Sequence, residues 1–203
     1  MDGKDIVRKG YDEIAPTYLG KRCQSSEDIS LIGKLIEKLP EDSLVLDAGC
    51  GAGVPVAKML SKHFKVVGVD FSESQIELAR ENVPEAEFLI QDLSNLDFPE
   101  NHFDAIVSYY AIIHIPREEH QSILKTFSRI LRPGGLLLLC TGATDLKDDI
   151  SDNYLGTRMY WSHYGSETNK KIVEDVGFEI IWTKEIGDET CDGGKHLFIL
   201  AKK

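Results

Sequence analysis

Five places in this 203-residue chain carry residues that could do chemistry. Asp47-Ala48-Gly49-Cys50-Gly51-Ala52-Gly53 sets three glycines at alternate positions behind an acid. Asp70 closes the run Phe64-Lys65-Val66-Val67-Gly68-Val69, and Asp92 follows Phe88-Leu89-Ile90-Gln91. His114 and His163 lie among apolar and aromatic neighbours. Glycines present no side chain, so a ligand can approach the backbone closely. A helix starting just beyond them offers free N–H groups to an anion. A carboxylate at the carboxyl end of a strand can accept from both hydroxyls of a ribose. A histidine can take up a proton near neutral pH. The glycine turn and Asp70 describe a nucleotide site, and the two histidines are candidate bases.

The elements that must position them follow from the pattern. Leu44-Val45-Leu46 reads as a short buried strand entering the glycine turn, and Val54 to Leu60 reads as the helix leaving it, with Pro55 near its first turn. Ser72-Glu73-Ser74-Gln75 is a capping box, so a helix begins directly after Asp70. Further strands are predicted at Ala86–Ile90, Phe103–Tyr109, Leu136–Cys140, Phe178–Ile186 and Lys195–Ala201. Ile123, Leu124, Phe127, Ile130 and Leu131 keep helical spacing, and Glu167–Val176 forms a helix closed by Gly177. At the N-terminus, Ile32, Leu35, Ile36 and Leu39 make a helical stripe stopped by Pro40. Tyr11 and Tyr18 would share a helix face, but Pro16 between them argues against one continuous helix. Residues 141–166 are the least regular stretch, and their clustered aromatics suggest a pocket wall or lid.

The dinucleotide fingerprint Gly-x-Gly-x-x-Gly/Ala fails here in both registers, because Val54 or Val56 falls on its third small position. What stands instead, Asp-x-Gly-x-Gly-x-Gly, resembles motif I of the class I S-adenosylmethionine-dependent methyltransferases. Phe103-Asp104-Ala105-Ile106, Leu131-Arg132-Pro133-Gly134-Gly135 and the N-terminal Tyr11-Asp12-Glu13-Ile14-Ala15-Pro16-Thr17-Tyr18 are similar to further segments of that family. The resemblance implies an α/β fold: a Rossmann-like seven-stranded sheet in the order 3-2-1-4-5-7-6, its last strand antiparallel, flanked by helices. It implies one domain over residues 1–203, with lid helices in 1–40 and an acceptor-site insertion at 142–166. The implied cofactor is S-adenosylmethionine, with S-adenosylhomocysteine as product. By the same resemblance the cofactor contacts are Asp47, Gly49, Cys50, Gly51, Gly53, Asp70, Phe71, Gln91, Asp92, Leu93, Tyr109 and Tyr18. Asp70 would hold the ribose, Asp92 the adenine amino group, and Phe71 and Leu93 the faces of the base. Each has a plainer alternative: Asp92 as a turn residue, Phe71 and Leu93 as core, Tyr11 and Tyr18 as caps on the core.

Methyl transfer from a sulfonium mainly requires that the acceptor be held in line and water kept out. A base matters only for an acceptor that arrives protonated. His114 is the first candidate base and His163 the second, each with the alternative that it merely packs or hydrogen-bonds locally. The totals narrow the acceptor. A net charge of −11 disfavours a phosphate backbone as main partner, so a small molecule is expected and nucleic acid is not. Ser108-Tyr109-Tyr110-Ala111 stands where an Asn-Pro-Pro-Tyr motif would mark amino methylation of macromolecules. The alternatives are a protein or nucleic-acid methyltransferase, or a non-catalytic cofactor-binding protein of the same fold. The N-terminus lacks a signal-peptide pattern and no run is apolar enough to span a bilayer, so a soluble, cytoplasmic protein is expected. Cysteines 23, 50, 140 and 191 are too scattered for a zinc site or a disulfide framework. The identity of the acceptor atom and the oligomeric state are not legible.

Overall fold

The computed structural model describes residues 2–21, 26–187 and 194–203. Cys23, Cys191 and most of the connection expected between the last two strands, residues 187–194, lie outside the described residues. The elements in order are α1 (Gly3–Lys21), α2 (Glu27–Ile36), β1 (Leu44–Ala48), α3 (Val56–Leu60), β2 (Lys65–Asp70), α4 (Glu73–Asn82), β3 (Glu87–Ile90), β4 (Phe103–Ser108), α5 (His120–Ile130), β5 (Leu131–Gly142), β6 (Leu146–Tyr154), β7 (Thr157–His163), α6 (Ser166–Asp175), β8 (Glu179–Gly187) and β9 (Lys195–Lys202).

Seven strands form one sheet in the order β3-β2-β1-β4-β5-β9-β8, and β6 pairs only with β7. Setting that hairpin aside, this is the 3-2-1-4-5-7-6 order. β1 to β5 run parallel, and β9 is antiparallel to both β5 and β8. The strands are apolar because both faces are covered. One core joins α2, α3 and α4 to the sheet through Leu31, Leu35, Leu60, Ile76 and Val107; the other joins α5 and α6 through Phe127, Ile130, Val173, Ile106 and Leu137. α5 buries Ile123, Leu124, Phe127 and Ile130, the face its periodicity indicated. The chain passes from one side of the sheet to the other between β1 and β4, and the crevice at that switch point is where ligands sit in an open α/β sheet.

Two expectations are corrected. α1 is continuous from Gly3 to Lys21 with Pro16 inside it. The tertiary contacts of its buried residues Ile6, Val7 and Ile14 with Met159 and Tyr160 outweigh the one helix bond that proline removes. The stretch expected to be irregular is an antiparallel hairpin, β6–β7. Its first strand is charged and mostly exposed, so it lacks the two-residue alternation that would have marked it. α1 lies against β7 closely enough that a Cβ on Gly10 would stand 2.8 Å from the Arg158 carbonyl. No helix among the described residues is long and apolar enough to cross a membrane.

Candidate functional site

Two adjoining hollows open at the carboxyl ends of β1, β2 and β4. They share Tyr18, Gly49, Gly51, Tyr109 and Tyr110. The first extends over Asp70, Phe71, Gln75, Gln91, Asp92 and Leu93, and reaches His114 and Ile115. The second runs down to Asp47, Cys50 and Val54 to Val56. Of the residues expected from sequence to touch a cofactor, Gly53 alone lines neither hollow. A Cβ there would instead meet Val83, Phe88 and Ala79 at 3.2 to 3.4 Å, so its bareness serves the packing of the turn against α4 and β3.

The glycine turn offers bare surface rather than free amides. Gly49 and Cys50 both donate to the Val69 carbonyl, at 2.8 and 2.9 Å, and Gly53 donates to the Cys50 carbonyl at 3.0 Å. Gly51 N–H goes to Asp70 Oδ2 at 2.9 Å. α3 has only five residues. The amides of Gly49, Cys50, Gly51 and Gly53 are therefore engaged, and the turn admits a ligand by the absence of side chains. Gly49 has φ +82° and Gly51 φ +50°, conformations that glycine adopts freely.

Asp70 stands at the tip of β2, where the second of its oxygens, Oδ1, accepts from Ser72 N–H at 3.0 Å. Burial raises its carboxyl pKa, opposed by the N–H groups of Ser72, Gly51 and Phe71. Asp92 caps the short turn after β3, with Oδ1 accepting from Ser94 N–H at 2.8 Å, and Lys4 of α1 lies 3.5 Å from Oδ2. Asp92 thus holds its turn, as the plainer alternative had it, and also lines the hollow. Gln91 lines the hollow while its amide oxygen takes the Asp97 N–H at 3.1 Å. The Tyr109 hydroxyl donates to the Asp28 carbonyl at 3.0 Å, which fixes its ring in the wall.

Asp47 is 1% exposed and its Oδ2 has no partner among the described residues. Burial, reinforced by the charge of Asp70, pushes its carboxyl up to about 8. The folded protein thus keeps a proton that the unfolded chain gives up near pH 4. This group therefore costs folding stability increasingly as pH rises from 4 to 8. Asp47→Asn is expected to raise the thermal midpoint at pH 8 by roughly 2–6 °C, and to change it little at pH 4. Thermal unfolding followed by circular dichroism at the two pH values checks this; an equal shift at both would contradict it. An orphaned buried carboxylate oxygen, two bare glycines and a strand-tip carboxylate together fit a ligand with an ammonium at one end and a ribose in the middle.

α1 closes the hollow from the opposite side through Lys4, Val7, Tyr11 and Tyr18. It is tied down at several points: Lys4 to Glu119 at 3.0 Å and Ser94 at 3.2 Å, Asp12 to the Ser72 hydroxyl, and Glu13 to Thr157. Its Tyr11 meets His114. His114 Nδ1 lies 2.8 Å from the Tyr160 carbonyl, which can only accept, so Nδ1 carries the proton. Nε2 is then the acceptor, and the Tyr11 hydroxyl donates to it at 2.9 Å. Burial lowers the pKa of His114 to about 4, so the ring is neutral at physiological pH. His163, the other candidate base, is placed elsewhere. Its Nδ1 pairs with the Thr144 carbonyl at 2.8 Å and its ring packs on Gly142. Lys4, Gln75 and Tyr110 line the hollow without having been singled out by sequence; only Gln75 carried a signal, as the closing member of the capping box.

Residues 45–135 match the family model described as a methyltransferase domain. Over 146 residues the chain is 30% identical to the tRNA (carboxymethyluridine(34)-5-O)-methyltransferase of Arabidopsis thaliana, covering 71% of this chain and 34% of that protein. It is 28% identical over 148 residues to the demethylmenaquinone methyltransferase of Listeria welshimeri, covering 66% and 61%. The chain thus spans about a third of the first of these relatives and under two thirds of the second. Its fold is shared with the 1,6-didemethyltoxoflavin-N1-methyltransferase of Burkholderia thailandensis, solved with 1,6-didemethyltoxoflavin and S-adenosylhomocysteine, at a TM-score of 0.73 and 17% identity over 96% of this chain and 84% of that one.

Proposed function

The chain belongs to the class I S-adenosylmethionine-dependent methyltransferases, and we propose from that premise that it methylates a small molecule enclosed beneath α1. The observation that carries this reading is the helix itself: Lys4, Asp12, Tyr11 and Glu13 fasten it across the hollow, which suits a small acceptor better than a polymer. The formal charge of −11 points the same way. When bound, S-adenosylmethionine supplies a methyl group on a positively charged sulfur with a good neutral leaving group. Asp70 would accept from its ribose hydroxyls and Asp92 from its adenine amino group, with Phe71 and Leu93 beside the base. Asp47 would accept from its ammonium in the second hollow. Tyr11, Tyr18 and α1 as a whole exclude water.

His114 is the group that moves a proton. Its Nε2 faces the hollow through the Tyr11 hydroxyl, so a proton leaving the acceptor passes to Tyr11 as Tyr11 passes its own to Nε2. The Tyr160 carbonyl of β7 holds the ring in the tautomer this requires, which is how the hairpin at 146–163 serves the acceptor side. Cys50 takes no part as a nucleophile, because burial raises its thiol pKa well above the ordinary range.

The test is formation of S-adenosylhomocysteine when the protein is given S-adenosylmethionine and a panel of small phenols, quinols and heterocyclic amines. Total tRNA belongs in the same panel, since the Arabidopsis relative favours RNA as a second reading. Turnover with a small acceptor and none with tRNA is the expected result; label found in tRNA alone would overturn the small-molecule reading. On the acceptor so found, His114→Gln is expected to lower kcat by about 10²- to 10³-fold. S-adenosylhomocysteine affinity should stay within about threefold of wild type, since His114 is given no cofactor contact. A kcat near the wild-type value would remove His114 from the reaction.

A further inference from the structure

One end of the first hollow is left over once the cofactor has claimed its residues. Val7, Tyr11, Tyr110, Ala111, His114 and Ile115 line it, and none of them carries a charge at neutral pH. The one cation in the lining of the hollow among the described residues, Lys4, is taken by Glu119 at 3.0 Å and Asp92 at 3.5 Å. Tyr110 gives its hydroxyl to Oδ2 of Asp28, a residue that lines neither hollow, at 3.1 Å. Its backbone is held at φ +55°, a conformation that bulky side chains seldom adopt and that clusters at functional sites. Its ring stands edge-on to His196 at 4.8 Å. Tyr11 stands nearly at right angles to both its neighbours, 5.2 Å and 77° from Tyr18, 5.4 Å and 86° from His114. Rings set this way build a corner of faces and edges.

Resting on the small-molecule reading above, we infer that the acceptor is an uncharged aromatic compound, methylated on a ring hydroxyl. A carboxylate, phosphate or ammonium on the acceptor would be buried at this end with no opposite charge to meet it, which costs far more than the surrounding contacts return. A flat ring in the corner meets faces and edges together, the arrangement that aromatic pairs prefer. The Tyr11 oxygen, its proton directed to His114 Nε2, can only accept, so it selects an acceptor atom that bears a hydrogen. An aromatic amine attacks without first losing its proton; a phenol gains from the base that Tyr11 and His114 provide. In the transfer, a lone pair of the acceptor oxygen forms the bond to the methyl carbon. The carbon–sulfur pair stays on sulfur and cancels its charge. The hydroxyl proton passes to Tyr11 as Tyr11 passes its own to Nε2, so the positive charge ends on the imidazole.

The experiment gives wild type, with S-adenosylmethionine, a matched series: 4-ethylphenol, 4-hydroxyphenylacetate, tyramine, 4-ethylaniline and 4-ethylcyclohexanol. Formation of S-adenosylhomocysteine yields kcat/KM, and calorimetry on the S-adenosylhomocysteine-loaded protein yields affinity. The uncharged phenol is expected to exceed the acid, tyramine and the aniline by about 30-fold or more in kcat/KM. It should bind about tenfold or more tightly than the saturated ring. Val7→Lys, which sets an ammonium into this end, should raise the acid relative to the phenol by about tenfold. Should that variant not fold, the wild-type series decides alone. Equal use of the charged and uncharged phenols, or turnover of the aniline alone, overturns the inference and leaves the small-molecule reading standing. So does a protein that binds S-adenosylhomocysteine but neither binds nor methylates any member of the series. Label found in tRNA alone overturns the reading beneath it, and this inference with it.

Discussion

Replacing Asp70 by alanine is expected to weaken S-adenosylhomocysteine binding about 100- to 1,000-fold. Each hydrogen bond to a charged group contributes about 1.5–3 kcal/mol, and every 1.4 kcal/mol is tenfold in affinity. Two ribose hydroxyls are at stake, and the carboxylate also braces the wall they rest on. Oδ2 holds Gly51 N–H at 2.9 Å and Oδ1 holds Ser72 N–H at 3.0 Å. Removing it loosens the glycine turn and the first turn of α4 together. Asp70→Asn, which keeps one acceptor oxygen, should lose less, about tenfold. Calorimetry measures both, and an alanine variant within threefold of wild type would end the assignment of this strand tip to the sugar.

Gly49→Ala should be strongly damaging for a single added methyl group. At φ +82° a side chain is strained, and the new Cβ would stand 2.1 Å from Ala111 Cβ. Both atoms are fixed to backbone, so no rotamer change relieves the overlap. Left-handed strain and overpacking each cost about 1–3 kcal/mol, which for a chain of this size lowers the thermal midpoint by roughly 5–15 °C. Adding Ala111→Gly removes the collision but not the strain, so the double variant should recover part of the loss. A Gly49→Ala protein as stable as wild type would mean the loop at 109–114 does not press on the turn as described.

What the sequence made legible was local. The apolar run into three glycines, the Ser72 N-cap after Asp70 and Gly177 beyond α6 each carry their own physical cause within a few residues and stand where they were expected; of the capping box only the Ser72 half forms, since Asp70 takes the Ser72 N–H. What it hid depended on contacts across the chain. Pro16 argued for a break that the packing of α1 on β7 overrides. The hairpin was masked by Lys147, Asp148, Asp149 and Asp152, which leave β6 no apolar face to show. A run of glycines does not say which way each one faces, so Gly53 was grouped with its neighbours although it turns toward α4. His163 and His114 looked alike as histidines among aromatics; only the fold sets one over the hollow and the other against Gly142.

The fastening of α1 has a kinetic consequence. We expect exchange of whatever occupies the crevice to require that segment to lift, so that the protein rather than diffusion sets its rate. Arrival should then level off at high ligand concentration, at the rate of lifting. A slow-leaving spent nucleotide would throttle the cycle even where the bond-making step is quick.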